Sequence, residues 1–306
     1  MSVRRLNITT ITLAVLTAVA VLALSCGGSE AGSPTAPTSS NDPTQTTTVA
    51  HELGTCSVTT FESSQRPTLL PIVIPEGDPM HGVGFHHCMK VLGASMWAVE
   101  KFSEPLLRHV ASIAAEYLNN NGDDVVDDPA VNAALADNYA AMYLVDAFDK
   151  FDKFDFSDQS PIHRFRTTIA QHSGETHPQG SLCGNTCGQP TDVTLEEVLH
   201  LIQQAGYGVA HPALNPKAPS LLTDAMTIAQ RNGDYNRFDD AAGQEYFYWG
   251  LTTLLGAQGH PSQCAVISTE WKLCTPEKLQ ARNPTFYALL MNPSCRLPTR
   301  LPDGHH

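Results

Sequence analysis

The sequence predicts a mainly helical domain, α+β with few short strands, that is exported behind an N-terminal leader. Three observations carry this reading. Beyond residue 100, apolar residues recur at three-and-four spacing in successive windows. Runs of β-branched residues with period-two alternation are few. The first 50 residues have the composition of a leader and a tether, with nothing from which to build a core.

Each helix can be placed. Residues 103–118 put Leu106, Leu107, Val110, Ile113, Ala114 and Tyr117 on one face. A second helix is expected from Pro129, a residue suited to a first turn, to about Phe148. A third starts at Thr194 and runs to Ala205, where Gly206 is expected to stop it. Further helices are read at 220–230, 244–255 and 276–290, with prolines 212, 216, 261, 293 and 298 marking loops. The strand signals are an extended run at 69–75 and a short segment at 83–87. There is no internal repeat.

Arg4 and Arg5 precede an uncharged apolar run from Ile8 to Leu24, too short and too early to be read as a spanning helix. The run ends at Leu22-Ala23-Leu24-Ser25-Cys26-Gly27, which resembles the lipobox of bacterial lipoproteins. The resemblance implies that residues 1–25 leave as a signal peptide and that Cys26 carries the lipid, so that a membrane is a partner through the anchor. Ala23 stands where that family most often has Leu, and an ordinary cleavable signal with a chance cysteine remains the alternative. Gly27, where inner-membrane lipoproteins have Asp, implies by the same resemblance the outer membrane or cell surface. Residues 26–50 then form a Gly/Ser/Thr/Pro-rich tether, and 51–306 the extracytoplasmic domain.

Acidic residues outnumber basic ones by 31 to 18, a net charge of −13, and loss of Arg4 and Arg5 makes the mature chain more acidic still. Without a Lys/Arg cluster, nucleic acid and anionic lipid surfaces are excluded as partners. The cysteines suit an oxidising compartment. Cys183/Cys187 and Cys264/Cys274 are the local pairs suggested by spacing and Cys56/Cys88 a longer one, which leaves Cys295 as the expected free thiol.

Two segments carry metal-binding chemistry. Asn119-Asn120-Asn121-Gly122-Asp123-Asp124-Val125-Val126-Asp127-Asp128 places oxygen ligands at Asn119, Asn121, Asp123 and Asp127, with the Val125 carbonyl between them. It resembles the first nine positions of an EF-hand or dockerin-type loop, which implies calcium. It departs from that pattern at Asn119, at Asp124 where the bend needs Gly, and at Ala130 where the bidentate Glu belongs. A solvated loop of turn formers accounts for the same residues.

The second is Thr194-Leu195-Glu196-Glu197-Val198-Leu199-His200. Glu196 and His200, four apart, share a helix face. The segment resembles the His-Glu-x-x-His helix of zinc peptidases with Glu196 in place of the first His. Gln244-Glu245-Tyr246-Phe247-Tyr248-Trp249 brings a lone acid into an aromatic helix, in an order similar to lethal-factor-type zincins. That likeness spans 190–256 and implies a zincin-like fold, with Glu196, His200 and Glu245 as ligands of zinc or another divalent ion. It further implies Glu197 as general base and peptide hydrolysis, for which Tyr235 or Tyr246 is the candidate oxyanion donor. Two carboxylates and one imidazole make a harder site than zinc enzymes use. A Thr194/Glu197 capping box and the stripe Leu195, Val198, Leu199, Ile202, Ala205 explain the same residues without a metal. The alternative function is therefore a non-catalytic, calcium-binding lipoprotein that binds a protein or peptide partner. His86-His87-Cys88, His172 and His177 are weaker candidates for further ligands.

Overall fold

The structure, a computed structural model, describes residues 56, 69–147, 153–217 and 219–305. The leader, Cys26 and the tether lie outside the described residues. No helix among those described is long and apolar enough to cross a membrane.

The expectation of a mainly helical domain with few strands is corrected by a five-stranded mixed sheet in the order β1-β2-β3-β4-β5, which makes the chain α+β. The strands are β1 (Ile72–Val73), β2 (Phe85–Val91), β3 (Ala94–Val99), β4 (Ala141–Val145) and β5 (Thr168–His172). The first three pair antiparallel; β3/β4 and β4/β5 pair parallel. The reason for the misreading is physical. All of β4 is buried, so it shows an unbroken apolar run that periodicity cannot tell from a helix. Accordingly α3 (Pro129–Asp137) stops well before Phe148; Tyr139 then takes a left-handed φ of 47° and turns the chain into the sheet.

Alternation sorts the strands onto two cores. Met89, Met96 and Met142 pair across the sheet and face the main core with Val91, Ala98 and Leu144. Cys88, Trp97 and Tyr143 pair one position along and face a smaller aromatic core with Phe85, Ile162 and Phe165.

Helix α1 (Pro79–Val83) is a short turn ahead of β2, whereas α2 (Glu104–Leu118) and α4 (Thr194–Ile202) pack against each other, α4 also against β5. Beyond Ile202 the chain continues through a π segment, Gln203–Tyr207, and a last turn at Gly208–Ala210. Gly206 is therefore not a stop. A Cβ there would lie 2.8 Å from Val131 Cγ1, so glycine lets α3 approach. The remaining helices are α5 (Leu221–Arg231), α6 (Ala242–Leu254), α7 (Pro261–Ile267), α8 (Pro276–Arg282) and α9 (Pro284–Leu290). The single helix read at 276–290 is two, because Asn283 caps the second and Pro284 opens it. α6 is the hub here: Tyr246 stacks on Phe286 at 4.2 Å and sits edge-on to Trp271 at 5.8 Å.

Disulfides join Cys56 to Cys88, Cys183 to Cys187 and Cys264 to Cys274. Cys295 is buried and is itself disulfide-bonded, which corrects its reading as a free thiol.

Candidate metal centre

The helix that carries the centre is fixed at its start by Asp192. Its Oδ1 accepts from the Thr194 amide and hydroxyl and from the His177 amide, and its Oδ2 meets His109 Nε2 at 2.7 Å. The capping box expected between Thr194 and Glu197 does not form, since the Thr194 hydroxyl points to Asp192 and accepts from Gln171. Glu197 is thereby left to face His200.

Leu195, Val198, Leu199, Leu201 and Ile202 enter the core. Glu196, Glu197 and His200 remain on the other side of α4, with donor atoms all within 4.8 Å of one another. They are the only such group of three His, Cys, Asp or Glu side chains among the described residues. Glu197 Oε2 lies 3.6 Å from His200 Nδ1. From the first turn of α6, Glu245 brings Oε2 to 3.9 Å from His200 Nε2. That nitrogen is buried and makes no hydrogen bond.

Three residues that the sequence reading missed complete the surroundings. Arg237 bonds Glu245 Oε1 at 2.9 Å, approaches Glu270 at 3.6 Å, and donates through Nε to both oxygens of Asp239. Glu270 accepts from Trp249 Nε1 at 3.0 Å. Tyr248 is hydrogen-bonded to Glu196, and its ring stands edge-on to His200 at 6.0 Å. Tyr248 had a signal in the sequence, three residues beyond Glu245 on the same helix face. Arg237 and Glu270 come from loops and had none.

The electrostatics show what the cluster lacks. Burial, then the charge of Glu197, pushes Glu196 up to about 7, against the Tyr248 hydrogen bond. Burial, then Glu196, likewise pushes Glu245 up to about 7, although His200 and Arg237 pull the other way. Glu175, paired with His172 at 3.1 Å, is also raised, by burial and by Glu197. Carboxylates crowded in this way, beside an imidazole nitrogen with no partner, are short of positive charge. Glu196, Glu197 and His200 form a group that can hold a divalent ion, and the donors suit one that tolerates oxygen ligands.

Other candidates fall elsewhere. Tyr235 and Tyr246 are corrected as oxyanion donors: their hydroxyls donate to the Ala242 and Ala225 carbonyls in the core. His172 bonds Glu175 and accepts from the Gly174 amide, while His177 gives its backbone amide to Asp192. Cys88 of the His-His-Cys triplet is in a disulfide. In the calcium-like loop, side-chain oxygens close local turns: Asn119 accepts from Gly122, Asn121 from Asp123, Asp123 from Val125 and Asp127 from Asn120. Its acids form no group of three within reach of a common ion.

No family model, curated protein or solved structure matches this chain.

Proposed function

We propose that this protein is an envelope lipoprotein whose extracytoplasmic domain carries a divalent-metal centre of zincin-like design, arranged for hydrolysis of peptides. The observation that carries the reading is the convergence of Glu196, Glu197 and His200 with Glu245, which comes from a different helix and faces the unpartnered His200 Nε2 at 3.9 Å. Glu196 and His200, which are within reach of one ion, would hold it together with Glu245 on the Nε2 side, leaving Glu197, the third member of that group, as base and not ligand. When bound, the ion would supply Lewis-acid polarisation of a substrate carbonyl. Glu197, half-buried at 3.6 Å from His200, would take a proton from a water. Tyr248 holds Glu196 in place by its hydrogen bond. The anchor rests on the Cys26 segment of the sequence and competes with the disulfide of Cys295, since Cys26 is the one other cysteine of the eight outside the three pairs.

A second reading, the same scaffold as a non-catalytic binding lipoprotein, draws support from one feature. Arg237 already pairs with Glu245.

The test is the metal content of the purified protein beside its Glu196→Ala, His200→Ala and Glu245→Ala variants. Near-stoichiometric transition metal in the parent, lost from all three, is expected. Glu197→Gln should keep the metal and lose cleavage of a peptide library. Metal-free parent protein after incubation with zinc or manganese would overturn the centre. Metal without cleavage would select the second reading. In the same sample the N-terminal peptide should carry acyl chains on Cys26; a disulfide there instead, for instance with Cys295, would overturn the anchor.

A further inference from the structure

Arg237 is an odd neighbour for a cation site. A guanidinium is always charged and close to a divalent ion it is repelled, by an amount that grows as water is excluded. Yet its Nη1 bonds one oxygen of Glu245, while the other oxygen of the same carboxylate faces His200. The arginine is not a loose surface charge. Both Asp239 oxygens accept from its Nε at 3.0 Å, and its own carbonyl accepts from Gln230. Those charges, with Glu245 and Glu270, hold its pKa above the ordinary value despite burial.

The same Nη1 has a second acceptor in reach. Glu270 Oε1 lies 3.6 Å away and is steadied by Trp249 Nε1. A small turn of the guanidinium about its Asp239 anchor therefore trades Glu245 for Glu270 without leaving the arginine unpaired. On one side of the exchange Arg237 supplies the positive charge that Glu196, Glu197 and Glu245 need; on the other, Glu245 is released.

We propose that Arg237 is a resident counter-cation of this centre, which competes with the divalent ion for Glu245 and yields to it by shifting to Glu270. The inference rests on the metal reading above and adds its regulation. Arg237 keeps the ion-free site intact and sets the concentration at which the ion enters.

The experiment is titration of the full-length protein with zinc and with manganese against a competing chelator, for the parent, Arg237→Gln and Arg237→Lys. Melting temperatures are recorded with and without ion. Removing the charge should tighten ion binding by about tenfold or more. It should also lower the melting temperature of the ion-free protein and enlarge the upward shift on adding ion. Arg237→Lys keeps a charge but not the fork, so its affinity should fall between the two, tighter than the parent. A merely structural arginine would give lower melting temperatures with unchanged or weaker ion binding, and that result overturns the proposal. If Arg237→Gln does not fold, Arg237→Lys decides: affinity equal to or below that of the parent overturns it. A parent that binds no ion beside an Arg237→Gln variant that does would sink the metal-loaded reading of the native protein and uphold the competition. Absence of binding in every form sinks both.

Discussion

His109 meets Asp192, and His211 meets Asp128, at 2.7 Å, whereas His200 stands 3.6 Å from Glu197 and 3.9 Å from Glu245. All three imidazoles are buried beside carboxylates. The aspartates have their lone pairs filled: Asp192 also accepts from Thr194 and the His177 amide, and Asp128 from the Ala130 and Val131 amides at the start of α3. Burial pushes both aspartates up, but these hydrogen bonds, the histidine first among them, bring each below the ordinary carboxylate range. Around His200 the balance is the reverse, and Glu196 and Glu245 are raised. The difference separates groups that hold the fold together from groups that the fold holds against their preference. A buried pair closed at hydrogen-bond distance is architecture. A half-buried cluster left open at nearly 4 Å, with one nitrogen unpartnered, is a group that can hold an ion.

The sharpest way to break this contrast is to empty one member of each kind. Asp192→Ala should cost about 3–5 kcal/mol in urea unfolding, since it leaves His109 buried without its partner and unties the start of α4. A loss below about 1 kcal/mol would mean that the pair is not structural.

Next in size is the pH profile of the ion-free protein. Asp128 and Asp192 have folded-state values below the unfolded one, so their contribution is present above about pH 4 and disappears as pH falls further. Glu196 and Glu245 are raised from 4.5 to about 7, so the fold prefers them protonated. Their contribution is full below about 4.5 and is lost as pH rises through 7. Stability in chelator should therefore peak near pH 4.5, fall by about 3 kcal/mol between there and pH 7, and level off above. Saturating divalent ion should flatten or reverse that upper limb. A stability that climbs steadily from pH 5 to 8.5 in chelator would remove the distinction between the two regions.

The smallest effect is the opposite of the first. Glu196→Gln should leave the ion-free protein at pH 8 no less stable, and more stable by about 1 kcal/mol, because it removes a charge the interior resists. A destabilisation comparable to Asp192→Ala would show that Glu196 belongs to the architecture.

The legible parts of the molecule were those with a single period. α2 was read at 103–118 and lies at Glu104–Leu118; α5 was read at 220–230 and lies at Leu221–Arg231. The sheet was largely hidden. β3 and β4 are buried on both faces, so their residues lack the polar alternation that marks a half-exposed strand. In the site, the Glu196/Glu197/His200 spacing was visible because one helix carries it. Placing Glu245 beside His200 required the packing of α6 on α4, and for that residue its cost as a lone acid in an aromatic helix was the only clue. Arg237 and Glu270 reach the site from segments with no periodic pattern.

Glu270 sits inside the loop that the Cys264–Cys274 disulfide closes, next to Trp271, whose indole is buried and donates to Thr253. The segment that steadies Arg237 thus depends on a crosslink that a reducing cytosol does not sustain. Reduction of that single crosslink would loosen the segment that carries Glu270, withdraw the second acceptor within reach of Arg237, and leave the guanidinium to Asp239 and Glu245 alone.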